Sequence, residues 1–562
     1  MASQTAEDAI ARLDSLAINR FDHEWSWRQI RRIAAPDASE FGVGGRIAGT
    51  AQNTMPMQAG AARLSKDIYD STAVWCVDRL ASGMEALVVP QSEYWHGYEI
   101  TSFAMEEASY VEKRWLERLR NLMFKVRYDA DSGWIPAIQT CLRRMVAFGN
   151  AFMWVEEGDS NKALVRYRYL PLTECFVDEN HFGSIDTFYR YYMLTARQAA
   201  QKFGIERLPA KIKEAANDKR RQDQRFQFIQ CIHPRGDFGL PSYGVQRAPW
   251  ASLHIAVDEK HIIGESGFFE FPVIDFRWLP EPGRIYGEGP VAKCLSDIQS
   301  TNQLAKNELT ASDQAVRPPL LLPNAGVMNK PNRAPGANNF GGMSPDGKPL
   351  IAPLFQGQRL DFATLVLEAK RNAIKESLYI NLFSILVQTP EMSATEALIR
   401  ANEKGELLGP AGSRIQMGLS IMTDRELGIL ERKGLYADTS AFRPPPTLID
   451  ADVGPQFTGP LSRLRRTKEA EGTVRTLQVM SPLAQVDPEV ADNFSGDEMA
   501  RGLGEIFGMP MRFLANPEQR DAKRKVRREQ QQAMANAQIA AEAAKAGELG
   551  SQALANIKDA GI

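Results

Sequence analysis

Histidine and cysteine are scarce in this chain, and neither is arranged to hold a metal. The six histidines of 562 residues stand at 23, 96, 181, 233, 254 and 261. No two show the H-E-x-x-H or H-x-x-x-H spacing that puts two imidazoles on one helix face. His254 and His261 are seven apart in β-type sequence with polar and turn residues between them, which reads as surface or satisfied core histidine rather than a ligand pair. The five cysteines, at 76, 141, 175, 231 and 294, are odd in number and never form C-x-x-C. That argues against a disulfide framework or a zinc site and fits a reducing compartment. A basic excess is missing too: 67 Lys and Arg stand against 69 Asp and Glu, a net charge of −2, with a pI near 6.4. A dedicated nucleic-acid binder normally carries such an excess, so adhesion to phosphates over a large surface is not expected. No run approaches the ~20 apolar residues that span a bilayer. The opening stretch MASQTAEDAIARLDSLAINRFDHEW has acids at intervals and no apolar core, unlike a signal peptide. The expectation is a soluble, intracellular product without a membrane partner. No G-x-S-x-G elbow occurs. The pairs Glu106-Glu107 and Glu156-Glu157 sit in charged, surface-like contexts, the usual setting of solvated carboxylates rather than of a catalytic dyad. No catalytic, cofactor or metal residue is assigned.

What is present is ordinary globular composition, 44% hydrophobic and 24% charged, long enough for three or four domains or sub-domains. The first 150 residues read as helical. Ile10, Leu13, Leu16, Ala17 and Phe21 fall at helical spacing before Pro36, and further helices are expected over 71–90, 110–128 and 134–150. From 151 to 282 short runs rich in β-branched and aromatic residues alternate with Gly, Pro, Asp and Asn, a mixed and mainly β module. A helix at 194–204, closed by Gly204, interrupts it.

Two long helices follow, 291–316 and 361–383. The first carries Val291, Leu295, Ile298, Ala305, Leu309 and Val316 in a stripe broken by Asn302 and Ser312, which suits a helix packed beside a neighbour rather than in a dry core. Between the helices lies a Pro/Gly/Asn-rich excursion, with PLLLP and PLIAPLF as short strands at its base. The whole is a long antiparallel hairpin that buries little within one chain and makes sense if copies pack beside it. After Pro390, Ser393 and Glu396 form a capping-box pattern. The helix that follows runs toward 434 and must kink or break at Gly409-Pro410. Residues 443–460 read as linker or strand, and 461–515 as helical. The tail 516–562 reads as one or two helices with a weak apolar stripe.

The stretch GRIYGEGPV (283–291) joins an apolar run to a helix, the order in which many proteins hold a phosphate. It has no G-x-x-x-x-G-K-[ST] pattern and only half of G-x-G-x-x-G. A turn is the plainer reading, with Gly287 and Gly289 bending the chain and Pro290 at the first helical position. A nucleotide-binding enzyme built on this loop is the alternative. The strongest basic cluster is KRKVRR, with Lys523, Arg524, Lys525, Arg527 and Arg528. It could touch phosphates or be a solvated helix surface. On the hairpin helices, Lys293, Lys306, Lys370, Arg371 and Lys375 could line a passage, with Asp297, Glu308, Glu368 and Glu376 in opposition.

Several stretches, in order, resemble the head-to-tail connector, or portal, family of short-tailed double-stranded DNA phages. They are IYDSTAVWCVDRLASGMEALVVPQSEYW (68–95), MVAFGNAFMWVEE (145–157), YLPLTECFVDENHFGSIDTFYRYYMLTARQAAQKFG (169–204), GRIYGEGPVAKCLSDIQSTNQL (283–304), MSATEALIRANEK (392–404) and DNFSGDEMARGLGEIFGMP (492–510). The resemblance covers nearly the whole chain and implies an α+β, mainly helical protomer with wing, stem, clip and crown. Such protomers would assemble as a ring, usually of twelve, with a central channel. Mapped onto this chain, the N-terminal helical part of the wing is 1–150 and its β-rich module 151–290. The stem helices are 291–316 and 361–383, and the clip is 317–360. A channel loop spans 384–392, a kinked wing helix and its return 393–460, and a crown and tail 461–562. Channel-loop contacts would come from Gln388, Thr389 and Glu391, and clip contacts from Asn329, Lys330, Arg333, Asn338 and Phe340. Gly287, Gly289 and Pro290 would be the hinge into the stem. The resemblance implies no enzymatic activity and no cofactor. Its implied partners are further copies of the chain, the terminase large subunit, tail adaptor and tail tube proteins, major capsid and scaffolding proteins, and double-stranded DNA passing without sequence readout. The implied location is a unique capsid vertex of the virion, after assembly in the host cytoplasm.

Overall fold

The run AFMWV is the middle of a strand, Asn150–Glu157, buried at six consecutive positions. A strand so apolar on both faces must be covered twice, and it is. The helix Trp134–Phe148 before it and the long helix Ala394–Arg432 both pack against it. The computed structural model describes the chain except for residues 1–4, 39–66, 102–108, 159–162, 239–247, 317–318, 322–342, 350–351, 354–359, 382–393, 437–441, 449–450, 461, 464–471, 481, 483–494, 507–508, 510–512, 514–516 and 560–562.

The described helices are α1 (Ala6–Ile33), α2 (Thr72–Val88), α3 (Tyr110–Arg127), α4 (Trp134–Phe148), α5 (Ala196–Phe203), α6 (Ala210–Asn217), α7 (Pro290–Lys293), α8 (Leu295–Val316), α9 (Leu360–Ser377), α10 (Ala394–Arg432), α11 (Gly496–Ile506) and α12 (Pro517–Asp559). The strands are β1 (His96–Ile100), β2 (Asn150–Glu157), β3 (Val165–Leu170), β4 (Cys175–Glu179), β5 (Ile185–Thr195), β6 (Arg225–Pro234), β7 (Trp250–Ala256), β8 (His261–Phe268), β9 (Val273–Arg277), β10 (Leu320–Leu321), β11 (Ala352–Pro353) and β12 (Val453–Phe457). The class is α+β and mainly helical. The chain divides into two units: residues 1–101, 119–444 and 450–465, and residues 102–118, 445–449 and 466–562.

In the first unit the mixed module holds two antiparallel sheets, ordered β3-β2-β9 and β4-β5-β6-β7-β8. Period-two alternation sorts the residues of the five-stranded sheet. Tyr189, Ile229 and Cys231 meet Leu13, Leu16 and Ala17 of α1, while Tyr192, Phe226 and Phe228 meet α5 and α6. α5 begins at a Thr195–Gln198 capping box and stops at Gly204, as expected from its sequence. α1 begins at a similar box, Thr5–Asp8.

Three expectations change. The first 150 residues are not all helical: β1 pairs with β12, some 350 positions away. Phe21 is 54% exposed rather than part of the α1 core face. α9 ends at Ser377, not 383. Tyr379 takes a left-handed φ of 57°. Its N–H bonds Glu376 and that of Ile380 bonds Lys375, a Schellman stop. The usual signal there is glycine, and none is present. Of the kink or break expected at Gly409-Pro410, the structure shows no break: Pro410 lies inside α10. The Ser413 hydroxyl donates to the Gly409 carbonyl at 2.9 Å. α10 ends at Gly434 (φ 82°). In the second unit, Asp497 of α11 accepts from Arg520 and Arg524 of α12 at 2.6–2.9 Å.

Candidate functional site

The hairpin and its attachment concentrate the sequence-predicted residues. α8 and α9 pack side by side. Lys370 binds Asp297 at 2.6 Å and Thr364 donates to Glu308 at 3.2 Å. Moving up α8 from 297 to 308 moves down α9 from 370 to 364, so the helices are antiparallel. β10 and β11 pair antiparallel beyond their far ends, with Leu320 opposite Pro353. The stripe on α8 is split along its length. The helix expected over 291–316 is interrupted at Cys294; Val291 on α7 and Ile298 and Ala305 on α8 are buried, while Leu309 and Val316 are exposed, as is Leu365 on α9. The hairpin is rooted in the core and leaves an apolar face uncovered at its distal half.

The polar break in that stripe has a task. Asn302 accepts from the backbone of Tyr69 and Asp70 at 2.7 and 3.1 Å and donates to Asp67 at 2.9 Å. It thereby holds the segment that leads into α2. Asp70 then receives the Thr72 N–H at 2.9 Å and Arg371 at 2.7 Å. Burial works against its charge, but these bonds prevail and hold the carboxyl below its usual range. Of the five hairpin cations, Lys370 and Arg371 are thus paired with acids of the same chain. Lys306 lies over the Tyr69 ring at 5.3 Å. Lys293 is exposed and Lys375 half-buried.

The glycine stretch is a packed junction. Gly287, Gly289 and Pro290 are buried, and Pro290 is the first residue of α7, with Gly289 as its cap. Asn150 donates to the Gly287 carbonyl and accepts from its N–H, both at 2.8 Å, replacing a peptide pair. Gly149, at φ 82°, lies against the loop. A Cβ on Gly289 would stand 2.7 Å from the Gly149 nitrogen, and one on Gly287 would stand 3.1 Å from its oxygen. The turn reading holds. On that face a phosphate would have to displace the chain's own backbone.

A second cluster escaped the sequence reading. Arg127 of α3 and Glu426 of α10 have no solvent exposure and form a two-pronged pair at 3.1 and 2.5 Å. The Tyr167 hydroxyl donates to Glu426 at 2.5 Å. The remaining Arg127 nitrogen reaches His96 Nε2 at 2.7 Å, and the guanidinium lies 4.7 Å from the Trp95 ring centre. Burial opposes charge on Arg127, but Glu426 outweighs it, so its pKa is raised. Burial and then Arg127 push His96 well down. The imidazole is therefore neutral, donating from Nδ1 to the Gly97 carbonyl. With every member facing another and sealed from water, the cluster fixes α10 against β1, β3 and α3. No residue spacing announces it, because His96, Arg127, Tyr167 and Glu426 are 31 to 330 positions apart.

Other predicted residues fall elsewhere. Gln388, Thr389, Glu391 and Ser393, and Asn329, Lys330, Arg333, Asn338 and Phe340, lie outside the described residues, as does the Glu396 side chain. Of the basic cluster, Arg524 is engaged by Asp497, and Lys523, Lys525, Arg527 and Arg528 are exposed on α12. Among the described residues no group of three potential ligands could hold a metal, and no helix is long and apolar enough to cross a membrane.

Residues 6–514 match the family described as bacteriophage head to tail connecting protein. The chain is 26% identical over 547 residues to the probable portal protein of Bordetella phage BPP-1, covering 96% of this chain and 94% of the relative. It is 23% identical over 557 residues to the portal protein of Salmonella phage epsilon15, covering 97% and 96%. Among solved structures, a chain from the virion of a native gene transfer agent particle aligns at 12% identity with a TM-score of 0.35, covering 79% of this chain and 92% of that one. A chain from the neck of an empty particle of that agent, computed with C6 symmetry, aligns at 11% with a TM-score of 0.36 and the same coverage. Scores this low carry nothing about the fold.

Proposed function

The chain belongs to the bacteriophage head-to-tail connecting protein family, and from that premise we propose that it is a portal that closes into a ring at one capsid vertex. Double-stranded DNA passes through the ring during packaging and ejection. The observation that carries this reading is the hairpin. An antiparallel helix pair rooted in the core, with Leu309, Val316 and Leu365 uncovered, is unfinished as a monomer. It is completed when the same pair from the next copy packs beside it. In this reading α8 and α9 are the stem, 317–360 the clip that meets the packaging motor and later the tail, 384–392 the channel loop, and 461–562 the crown.

The mechanism is geometric and non-enzymatic, with no cofactor. A wall for sliding DNA must not grip phosphates, because each persistent contact adds to affinity. Pairing of Lys370 and Arg371 with Asp297 and Asp70 quenches two of the five cations that the hairpin could offer. Energy for packaging comes from a separate terminase, and the scaffold, capsid, terminase and tail adaptor dock on other faces of the ring.

Native mass tests the reading. Twelve chains of 62.6 kDa give a closed particle of about 750 kDa. A chain that stays monomeric or dimeric at micromolar concentration overturns it.

A further inference from the structure

Two helices of the first unit each present an uncovered apolar seam of the kind that meets another helix. On α1, Ile18, Phe21 and Trp25 are 66%, 54% and 64% exposed. With Asp14 before them and Arg28 after, they step by four, three, four and three. On α10, Met417 and Ile421 are 68% and 44% exposed. With Arg414 before them and Asp424 after, they step by three, four and three. Alternation of three and four is the signature of a helix-on-helix seam at a shallow crossing angle.

The ends of the two seams are opposite in sign. Laid parallel, Asp14 of α1 meets Arg414 of α10, and Arg28 meets Asp424. The charge-to-charge spans are fourteen and ten residues, about 21 and 15 Å along the axes. Two arginine side chains bridge the difference of about 6 Å. Arg28 already touches Glu24 at 3.1 Å, and Arg414 donates to the Trp278 carbonyl. Each head would share its present contact with the facing carboxylate. Laid antiparallel, like charges would face each other at both ends. A ring built by rotation needs a heterologous contact in which one patch meets a different patch on the next copy. These two seams are such a pair.

We propose that the α1 seam of one copy packs in parallel on the α10 seam of the next, so that the two helices form a subunit contact of the ring. This rests on the ring reading above. All five native cysteines are buried, and burial raises the Cys76 and Cys294 thiols to about 12 and 11, so introduced cysteines can be addressed alone. The experiment uses the full-length assembled particle carrying Phe21→Cys and Met417→Cys, treated with a short bis-maleimide and run on a denaturing gel. The expected result is a ladder from two chains up to the full ring, absent from either single variant. A particle of ring mass without a ladder, or cross-links confined to one chain, overturns the seam and leaves the ring reading standing. Failure of the unsubstituted chain to assemble overturns the ring reading instead. As a second arm, Trp25→Asp, altered at an exposed position, is expected to melt as the parent chain does while ring mass is lost. Retention of the ring overturns the seam.

Discussion

Replacing Glu426 by leucine strands the Arg127 guanidinium in a site with no solvent exposure. The loss is large because Glu426 supplies both oxygens of the two-pronged pair and accepts the Tyr167 hydroxyl. The neutral His96, the Tyr167 hydroxyl and the Trp95, Phe124 and Trp134 rings would still face the cation. Removing one partner of a buried pair costs about 3–5 kcal/mol. At 1.36 kcal/mol per tenfold, that is a roughly 150- to 5,000-fold rise in the open population. The paired replacement Arg127→Met with Glu426→Leu removes both charges and is expected to recover most of the loss, since apolar substitutes for buried ion pairs are often neutral. Amide hydrogen exchange suits the test, because α10 is one element of a chain too large to unfold in a single step. In Glu426→Leu, amides of 415–430 and of β1 should exchange faster by that factor, and in the double variant by less than about tenfold. The reasoning fails if the single variant is protected like the parent. It fails equally if the double variant is as exposed as the single, because the effect would then be lost packing rather than a stranded charge.

Gly289→Ala drives a Cβ to 2.7 Å from the Gly149 nitrogen, and overpacking against backbone should destabilise by about 1–3 kcal/mol. An unchanged chemical-unfolding midpoint would contradict the close approach. Asn150→Leu orphans both the N–H and the carbonyl of buried Gly287, at about 1–3 kcal/mol for each group, and should lower the melting temperature more than Asn150→Ser. Burial raises Asp424 from 3.8 to about 6, so in the unassembled chain its folded state favours the proton. That contribution is full below pH 4 and is lost as pH rises through 6. Asp424→Asn should therefore melt with the parent at pH 4 and above it at pH 8, and equal melting at both would refute the shift.

Local chemistry was legible wherever it was written in neighbouring residues. The stripe and breaks around α8, the Gly204 stop of α5, the run of strands from 151 and the Pro290 start of α7 were all readable in order. So was the conclusion that GRIYGEGPV is a turn, from the missing lysine and the proline. Where the usual local signal was absent, the reading slipped. Tyr379 takes a left-handed stop that glycine normally signals.

Most of the order of helices and strands, β1 excepted, the hairpin with its strand-paired base, and the absence of local catalytic and metal motifs are read from the sequence alone, because periodicity, capping and turn chemistry act over a few residues. Only the tertiary structure decided the rest. It brought Gly149 onto the glycine loop, turned Asn302 from a flaw in a stripe into a clamp on 67–70, and closed Arg127 and Glu426 together across 299 positions. It also decided which apolar residues stay uncovered, putting Phe21 on the outside with Ile18 and Trp25. Such outcomes depend on which distant surfaces meet, and helical spacing alone does not specify that.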